Sequence, residues 1–199
     1  MGLTEAELAE RLGKLVTAHR YRHSIGVMNM AVQLAERYGV DMDKARIAGL
    51  LHDCARDLPQ DVVLKLAEQW HVVFDEIERA EPKLIHGPLG AEYARRQFEI
   101  EDPEILDAIR FHVTGREHMT PLEKIVYVAD CIELGRAYKG VSDIRRAVKS
   151  NLDVALTMAQ NQKLGYLIKR SGLIHPRAVV ARNSVLLSLR GTEKGKDVE

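Results

Sequence analysis

The residue pair His52-Asp53 is the feature of this sequence that most directly indicates chemistry, because it follows the apolar run at residues 47–51. Moving a carboxylate out of water costs several kcal/mol unless a cation or hydrogen-bond donors meet it. A metal ion would satisfy the imidazole and the carboxylate together. The pair therefore predicts that further metal ligands lie elsewhere in the chain.

Three more histidines and one more aspartate are suited to complete such a site: His23, His86, His112 and Asp130. They fall in separate predicted helices, so they can meet only if a helical bundle folds around one point. Imidazole nitrogens and carboxylate oxygens without thiolates favour iron, manganese, zinc, cobalt or nickel over a structural zinc ribbon.

Each of these residues also has an ordinary structural interpretation. A single histidine is more often a packed or surface residue than a ligand, and this applies to His23, His86 and His112. Asp130 follows the apolar residues 125–129, where an unpaired carboxylate would be costly. Before the other residues are considered, a functional site and a structural ion pair explain Asp130 equally well.

The remaining residues of ligand type are predicted to take no part. His19 precedes the regular part of its helix, and His71 and His118 fall in predicted loops. Cys54 and Cys131 each directly follow a candidate carboxylate ligand, which turns them by about 100° around a helix. We therefore predict that both cysteines are small core residues.

The elements that must position these residues are predicted to be helices. A capping box at Thr4 opens the first, helical spacing continues over 21–38 until Gly39, and Asp41 caps the helix that ends in His52-Asp53. The strongest start signal is Thr120-Pro121, ahead of the helix with Asp130. Further helices are predicted over 59–70, 75–80, 86–98, 102 to about 115, 141–171 as one or two helices, and 183–189.

Composition limits the class of protein. The chain has 199 residues, 46% of them hydrophobic, and 29 basic residues balance 29 acidic ones. This balance argues against nucleic acid or an anionic membrane as a partner. No apolar stretch is long enough to cross a bilayer, and two cysteines without a signal pattern predict a cytoplasmic protein. We expect one all-α domain over 1–190, with its core at about 20–187 and a flexible tail at 191–199.

The order of His23, then His52-Asp53, then Asp130 resembles the H…HD…D signature of the HD-domain metal-dependent phosphohydrolases. Surrounding segments narrow the resemblance to the symmetrical bis(5'-nucleosyl)-tetraphosphatases of that superfamily. These segments are YRHSIGV at 21–27, LLHD at 50–53, HGP at 86–88, FHVTG at 111–115, ADCIE at 129–133 and IHP at 174–176. The chain departs from the family at Cys131, usually aromatic, and at Leu134, usually proline.

The resemblance implies a single HD-domain helical bundle around a metal site. It assigns a first metal, iron in preference to manganese, cobalt, nickel or zinc, to His23, His52, Asp53 and Asp130. His86 and His112 would then hold a second metal bridged by Asp53, or contact phosphate directly. The implied catalytic residues are Asp53, His86, His112 and Asp130.

The implied substrate-binding set includes all of these residues except His52. It adds Arg136, which taken alone would be a solvated helix-end charge, and a nucleotide-contacting segment. The additional members are Val113, Arg136, Leu173, Ile174, His175, Pro176, Arg177 and Ala178. The roles of Arg20 and Arg22 are left undecided.

The implied reaction is hydrolysis of diadenosine tetraphosphate into two ADP by a water that the metal activates. Two alternatives stay open: an HD phosphohydrolase acting on deoxynucleoside triphosphates or a guanosine alarmone, and a non-catalytic nucleotide-sensing module. The expected partner is a dinucleoside polyphosphate or another nucleotide, and a homodimer is compatible with the sequence.

Overall fold

A computed structural model describes residues 3–194, which form eleven α-helices and a short 3-10 helix without a strand. This confirms the all-α prediction. In chain order the helices are α1 Glu5–Leu15, α2 Ala18–Tyr38, α3 Met42–Leu51, α4 Gln60–Gln69, α5 Glu76–Ala80, the 3-10 helix Pro82–Leu84, α6 His86–Gln97, α7 Pro103–Phe111, α8 Pro121–Ile132, α9 Val141–Ala147, α10 Leu152–Lys169 and α11 Pro176–Lys194.

The predicted helix boundaries rest on local capping chemistry, and the structure confirms it. Thr4 and Glu7 form a reciprocal capping box, and the Thr120 hydroxyl accepts a hydrogen bond from the Glu123 amide. Asp41 caps α3, and Gly39 ends α2 in the left-handed conformation at φ 67°. These ends are set by neighbouring residues alone, which is why the sequence predicts them.

Several helix boundaries differ from the prediction. Helix α2 begins at Ala18 instead of 21, because Thr17 caps it, and α7 ends at Phe111 instead of near Gly115. Pro59 is the N-cap of α4 instead of lying in its first turn. The segment 141–171, predicted as one or two helices, contains two, because Asn151 caps α10. Helix α11 begins at Pro176 rather than near 183, since a proline is well suited to the first helical turn. It continues to Lys194, four residues into the predicted tail, whose residues 195–199 lie outside the described part.

Helix α8 is the centre of the bundle. It packs against α2, α3, α7, α9 and α10, and from Leu122 to Ile132 every residue except Lys124 is buried. A helix that is apolar on all sides is stable only when surrounded by other elements. Asp130 therefore lies in the interior, on a helix that is surrounded by five others.

Two close helix contacts determine where the histidines meet. A Cβ atom on Gly49 of α3 would lie 2.9 Å from the Met28 Cα of α2, and one on Gly87 of α6 would lie 2.7 Å from the Arg110 carbonyl oxygen of α7. Each helix pair needs its glycine for this approach. The first pair carries His23 and His52, and the second carries His86 and His112.

In the described range, no helix combines the length and the apolar character needed to cross a bilayer.

Candidate metal centre

Asp53 lies between two groups of imidazoles and directs one carboxylate oxygen at each. Its Oδ2 is 3.8 Å from His23 Nε2 and 3.5 Å from His52 Nε2. Its Oδ1 is 3.1 Å from His86 Nε2 and 3.6 Å from His112 Nε2. All five side chains are buried, so this carboxylate joins two sets of potential ligands in the interior.

Asp130 completes the first set. Its Oδ1 lies 3.2 Å from His23 Nε2 and 4.0 Å from His52 Nε2, and one ligand atom from each of the three residues lies within 4.8 Å of the other two. Ligands of a transition metal each lie about 2.0–2.2 Å from the ion, so donors at this separation can share one ion. The spacing therefore fits the metal that the sequence predicts for this set.

Hydrogen bonds at Nδ1 orient the imidazoles. His52 Nδ1 is 2.8 Å from the Gly49 carbonyl oxygen, and His112 Nδ1 is 2.7 Å from that of Ile109. His23 Nδ1 is 3.2 Å from Glu133 Oε1. An acceptor at Nδ1 favours the proton there and leaves the Nε2 lone pair directed at the carboxylates, as metal-binding histidines require.

His86 is held by two neighbours at once. Its Nδ1 lies 2.6 Å from the Lys83 carbonyl oxygen and 2.6 Å from Arg56 NH1, which itself donates to that carbonyl at 2.7 Å. Its Nε2 lies 3.1 Å from His112 Nε2 as well as near Asp53. The ring is thus fixed between Arg56 outside and the donor cluster inside.

One buried atom supplies an independent test of the fit. His52 is fully buried, and its Nε2 has no hydrogen-bond partner among residues 3–194. Leaving such a group unsatisfied costs about 1–3 kcal/mol. Since this nitrogen faces Asp53 and Asp130, an ion bound to them would satisfy it, and the residues present fit a metal.

Electrostatics keep the two carboxylates ionised. Burial disfavours the charged form of His52, yet the attraction of Asp53 and Asp130 outweighs it and raises the pKa of His52. Burial favours the neutral form of Asp53, yet His52 and His112 outweigh it and hold the pKa of Asp53 well below its usual range. Burial acts likewise on Asp130, whose pKa is also held well below the usual range, by His23 and Lys163. The buried site therefore retains two ionised carboxylates.

The histidines of the second set are neutral at neutral pH. Burial lowers the pKa of His86 to about 4. Burial also lowers the pKa of His112, against the attraction of Asp53. Neutral imidazoles bind metal ions, whereas protonated ones do not.

Three cations surround the carboxylates. Arg20 NH1 lies 2.6 Å from Asp53 Oδ2, and Arg136 NH2 lies 2.5 Å from Asp130 Oδ1. Lys163 Nζ is 3.6 Å from Asp130 Oδ2. Arg20, undecided from the sequence, is thus part of the cluster's charge balance, whereas Arg22 is exposed and forms no ion pair with a described residue.

A cavity of about 580 Å³ adjoins this cluster. This size lies within the range of about 300–1,000 Å³ typical of small-molecule sites. Of the predicted substrate-binding residues, its walls contain Val113, Asp130, Arg136, Leu173, His175 and Ala178. Ile174, Pro176 and Arg177 belong to the same segment without lining the cavity, and Arg177 NH1 lies 3.5 Å from Glu78 Oε1.

Four residues at the site were not predicted from the sequence. Tyr127 and Lys163 line the cavity, with the ammonium group 4.1 Å from the ring, Arg56 contacts His86, and Glu133 contacts His23. Tyr127 lies three residues before Asp130, and this spacing predicts that both side chains lie on the same helix face. Nothing local marks Lys163, because α10 comes close to Asp130 only through folding.

The other residues of ligand type lie where the sequence predicts, except that His19 lies in the first turn of α2 instead of before the helix. His19, His71 and His118 are exposed, and both cysteines are buried and free. Cys131 differs from Cys54 in that it also lines the cavity.

Comparisons with known proteins agree with this geometry. The HD domain model matches residues 20–135. Symmetrical bis(5'-nucleosyl)-tetraphosphatases from Bacillus subtilis and Halalkalibacterium halodurans are 38% and 39% identical, over 84% and 86% of this chain and 90% and 91% of theirs. The crystal structure of a predicted HD superfamily hydrolase involved in NAD metabolism from Clostridium acetobutylicum has a TM-score of 0.90 at 37% identity, covering 94% of this chain and all of that one.

The match includes the segments that carry His23, His52, Asp53, His86, His112 and Asp130, and the relatives are covered over nearly their full length. The chain therefore belongs to the HD-domain family of metal-dependent phosphohydrolases, and within it to the symmetrical bis(5'-nucleosyl)-tetraphosphatases.

Proposed function

We propose that this protein hydrolyses diadenosine tetraphosphate symmetrically into two ADP. The observation that carries the proposal is Asp53, whose two oxygens lie between one pair of histidines at 3.5 and 3.8 Å and another at 3.1 and 3.6 Å. This cluster adjoins a cavity of about 580 Å³ whose walls include four cationic side chains, Arg56, Lys83, Arg136 and Lys163. The similarity to the symmetrical bis(5'-nucleosyl)-tetraphosphatases of Bacillus subtilis and Halalkalibacterium halodurans supports the same substrate.

His23, His52, Asp53 and Asp130 are the proposed ligands of the first metal. Their nitrogen and oxygen donors suit iron, with manganese, cobalt, nickel and zinc as alternatives. When bound, the ion supplies Lewis-acid stabilisation of phosphoryl oxygens and lowers the pKa of a water toward neutrality.

For His86 and His112 we favour a second metal over direct donation to phosphate. Both lie on the Oδ1 side of Asp53, and burial lowers the pKa of His86 to about 4. A histidine that is neutral at pH 7 is a poor proton donor to a leaving group but a good ligand. Asp53 would then serve both ions, one with each oxygen.

Cationic side chains are proposed to orient the tetraphosphate. Arg136 lies at the boundary between Asp130 and the cavity, and Lys163, Arg56 and Lys83 also line its wall. A guanidinium group can bind phosphate through two parallel hydrogen bonds, and an ammonium group acts as a point charge. The segment 173–178 is proposed to contact the nucleoside, since Leu173, His175 and Ala178 face the same cavity.

Product analysis tests the proposal directly. Purified protein, stripped of metal and reloaded separately with iron, manganese, cobalt, nickel or zinc, is incubated with diadenosine tetraphosphate and analysed by chromatography. We expect ADP as the sole product. ATP with AMP would contradict the symmetrical cut, and faster turnover of a deoxynucleoside triphosphate or guanosine tetraphosphate would favour the related hydrolases. Binding without any product would indicate a sensor.

Cytoplasmic location and self-association remain predictions. A nucleotide substrate and two free, buried cysteines fit a reducing compartment. For a homodimer, the apolar side chains exposed on α10 and α11, including Tyr166, Ile168 and Leu187, offer a surface. Sedimentation equilibrium of the full chain measures whether two copies associate.

A further inference from the structure

A second cavity, of about 330 Å³, lies beside the first and has no role in the function proposed above. Arg56 and Lys83 line both cavities, so these two residues mark the boundary between them. The other residues around the second cavity are Ala55, Leu58, Gln60, Val63, Leu64, Phe74, Arg79, Pro82, Ile85 and His86.

The two cavities border different residues of the donor cluster. Asp130, which belongs to the set around Asp53 Oδ2, lines the first cavity, and His86, which lies 3.1 Å from Asp53 Oδ1, lines the second. Asp53 lines neither cavity but contacts the sets to which these two residues belong, and Arg56 and Lys83 form the boundary between the cavities. A chain of phosphates centred on Asp53 would have one end toward each cavity.

The second cavity has the charge and the apolar surface that a nucleoside diphosphate requires. Three cations, Arg56, Arg79 and Lys83, line it, and no carboxylate does so among the described residues. Neither Arg79 nor Lys83 forms an ion pair within residues 3–194, so both are free to meet phosphate. Much of the remaining wall is apolar, including Leu64 and Phe74, and suits the face of a base.

We propose that the second cavity binds the second nucleoside diphosphate half of the dinucleotide. This rests on the proposed function, because a symmetrical cut places the scissile bond at the midpoint of the tetraphosphate and leaves two equal halves. With one half in the first cavity, the other must leave the cluster in a different direction. The second cavity, which Arg56 and His86 line, offers space for that half.

Two variants test this without altering the donor cluster. The first variant, Leu64→Trp, fills the cavity with a larger side chain at a position that is 56% exposed. The second, Arg79→Glu, reverses an exposed charge at the cavity wall. Arg79→Lys should restore the charge. The matched control is Met42→Trp, because Met42 is 45% exposed and lies at the opposite end of α3 from His52.

Two measurements are made on the metal-loaded full chain. Calorimetric titration with ADP should give two sites per wild-type chain and one in Leu64→Trp and Arg79→Glu. The KM for diadenosine tetraphosphate should rise about tenfold in both variants, equivalent to about 1.4 kcal/mol of binding, with kcat within threefold. Arg79→Lys and Met42→Trp should match the wild type in both measurements.

A single ADP site in the wild type would overturn the proposal, as would an unchanged KM in both folded variants. Failure of the proposed function is a separate result, because it shows as absence of ADP production by the wild type. The stoichiometry of ADP binding still reports on the second cavity in that case. Circular dichroism confirms that each variant is folded.

Discussion

At the scale of single residues, Asp53 has the most demanding position in the molecule. It is almost fully buried, and His23, His52, His86, His112 and Arg20 all lie within 4 Å of its two oxygens. A carboxylate in the interior is stable only with such partners. Asp53, predicted from the sequence as a metal ligand, is thus the residue at which both histidine sets meet.

Replacing Asp53 by Ala should lower turnover of diadenosine tetraphosphate by about 10³-fold or more, because one residue serves both donor sets. Metal content per chain, measured by inductively coupled plasma mass spectrometry, should fall in parallel. Asp61→Ala, which removes an exposed carboxylate on α4, is the control and should keep both. Near-normal turnover in the Asp53 variant would show that this residue is not a ligand.

Glu133 is a second residue with a testable role, as a positioning residue for His23. Its Oε1 lies 3.2 Å from His23 Nδ1 and orients that ring. Partners of this kind typically contribute 10–100-fold to metal affinity. Glu133→Gln should therefore weaken metal binding by about 10–100-fold in a competition titration with a chelating dye, whereas Glu99→Gln, at an exposed position, should leave it unchanged.

At the scale of elements, the site depends on two helix pairs in close contact. Helices α2 and α3 bring His23 and His52 together, and α6 and α7 do the same for His86 and His112. In all four histidines an acceptor lies within hydrogen-bond distance of Nδ1, and three of those acceptors are carbonyl groups three residues earlier. The ends of α3 and α7 therefore orient their own ligands, while the glycine contacts determine how near the ligands approach.

Gly87→Ala tests the second pair. The added Cβ would lie 2.7 Å from the Arg110 carbonyl oxygen, so α6 and α7 must separate. We expect a loss of about 1–3 kcal/mol in unfolding free energy and reduced turnover, because His86 moves away from His112. Chemical denaturation and steady-state kinetics measure the two effects.

The matched control is Gly165→Ala in α10, where a Cβ meets nothing within 4 Å. This variant should gain up to about 1 kcal/mol from helix propensity and keep full turnover. Equal stability of the two variants would show that the α6–α7 contact does not depend on Gly87.

At the scale of the whole molecule, the proposed ion connects parts of the chain that are far apart in sequence. His23 lies on α2, Asp130 on α8, and His52-Asp53 directly after α3, and all pack around the central helix. A ligand that binds only the folded state stabilises it by about 2.7 kcal/mol at a concentration of 100 times its Kd.

Removal of metal should therefore lower the melting temperature, by about 5–10 °C for a chain of this size. Differential scanning calorimetry of chelator-treated protein, before and after addition of iron or manganese, measures the shift. Asp53→Ala should show little of it. A shift of equal size in that variant would indicate that the ion stabilises the fold from another site.

The sequence by itself determined the helical class, most helix starts and the residue types at the metal centre. Capping boxes, first-turn prolines and apolar spacing act over a few residues, so Thr4, Asp41 and Thr120 mark their helices without tertiary information. The pattern of His23, His52-Asp53 and Asp130, together with its resemblance to a known family, indicated the chemistry. Contact of Arg136 and the segment 173–178 with substrate remains a prediction.

Only the tertiary structure decided how the ligands are shared. Which oxygen of Asp53 faces which histidines depends on the approach of α2 to α3 and of α6 to α7, through contacts between residues distant in sequence. The same holds for Lys163 beside Asp130 and for the two cavities that share Arg56. Local propensity carries no information on such long-range packing, because side chains meet there only after the whole bundle has formed.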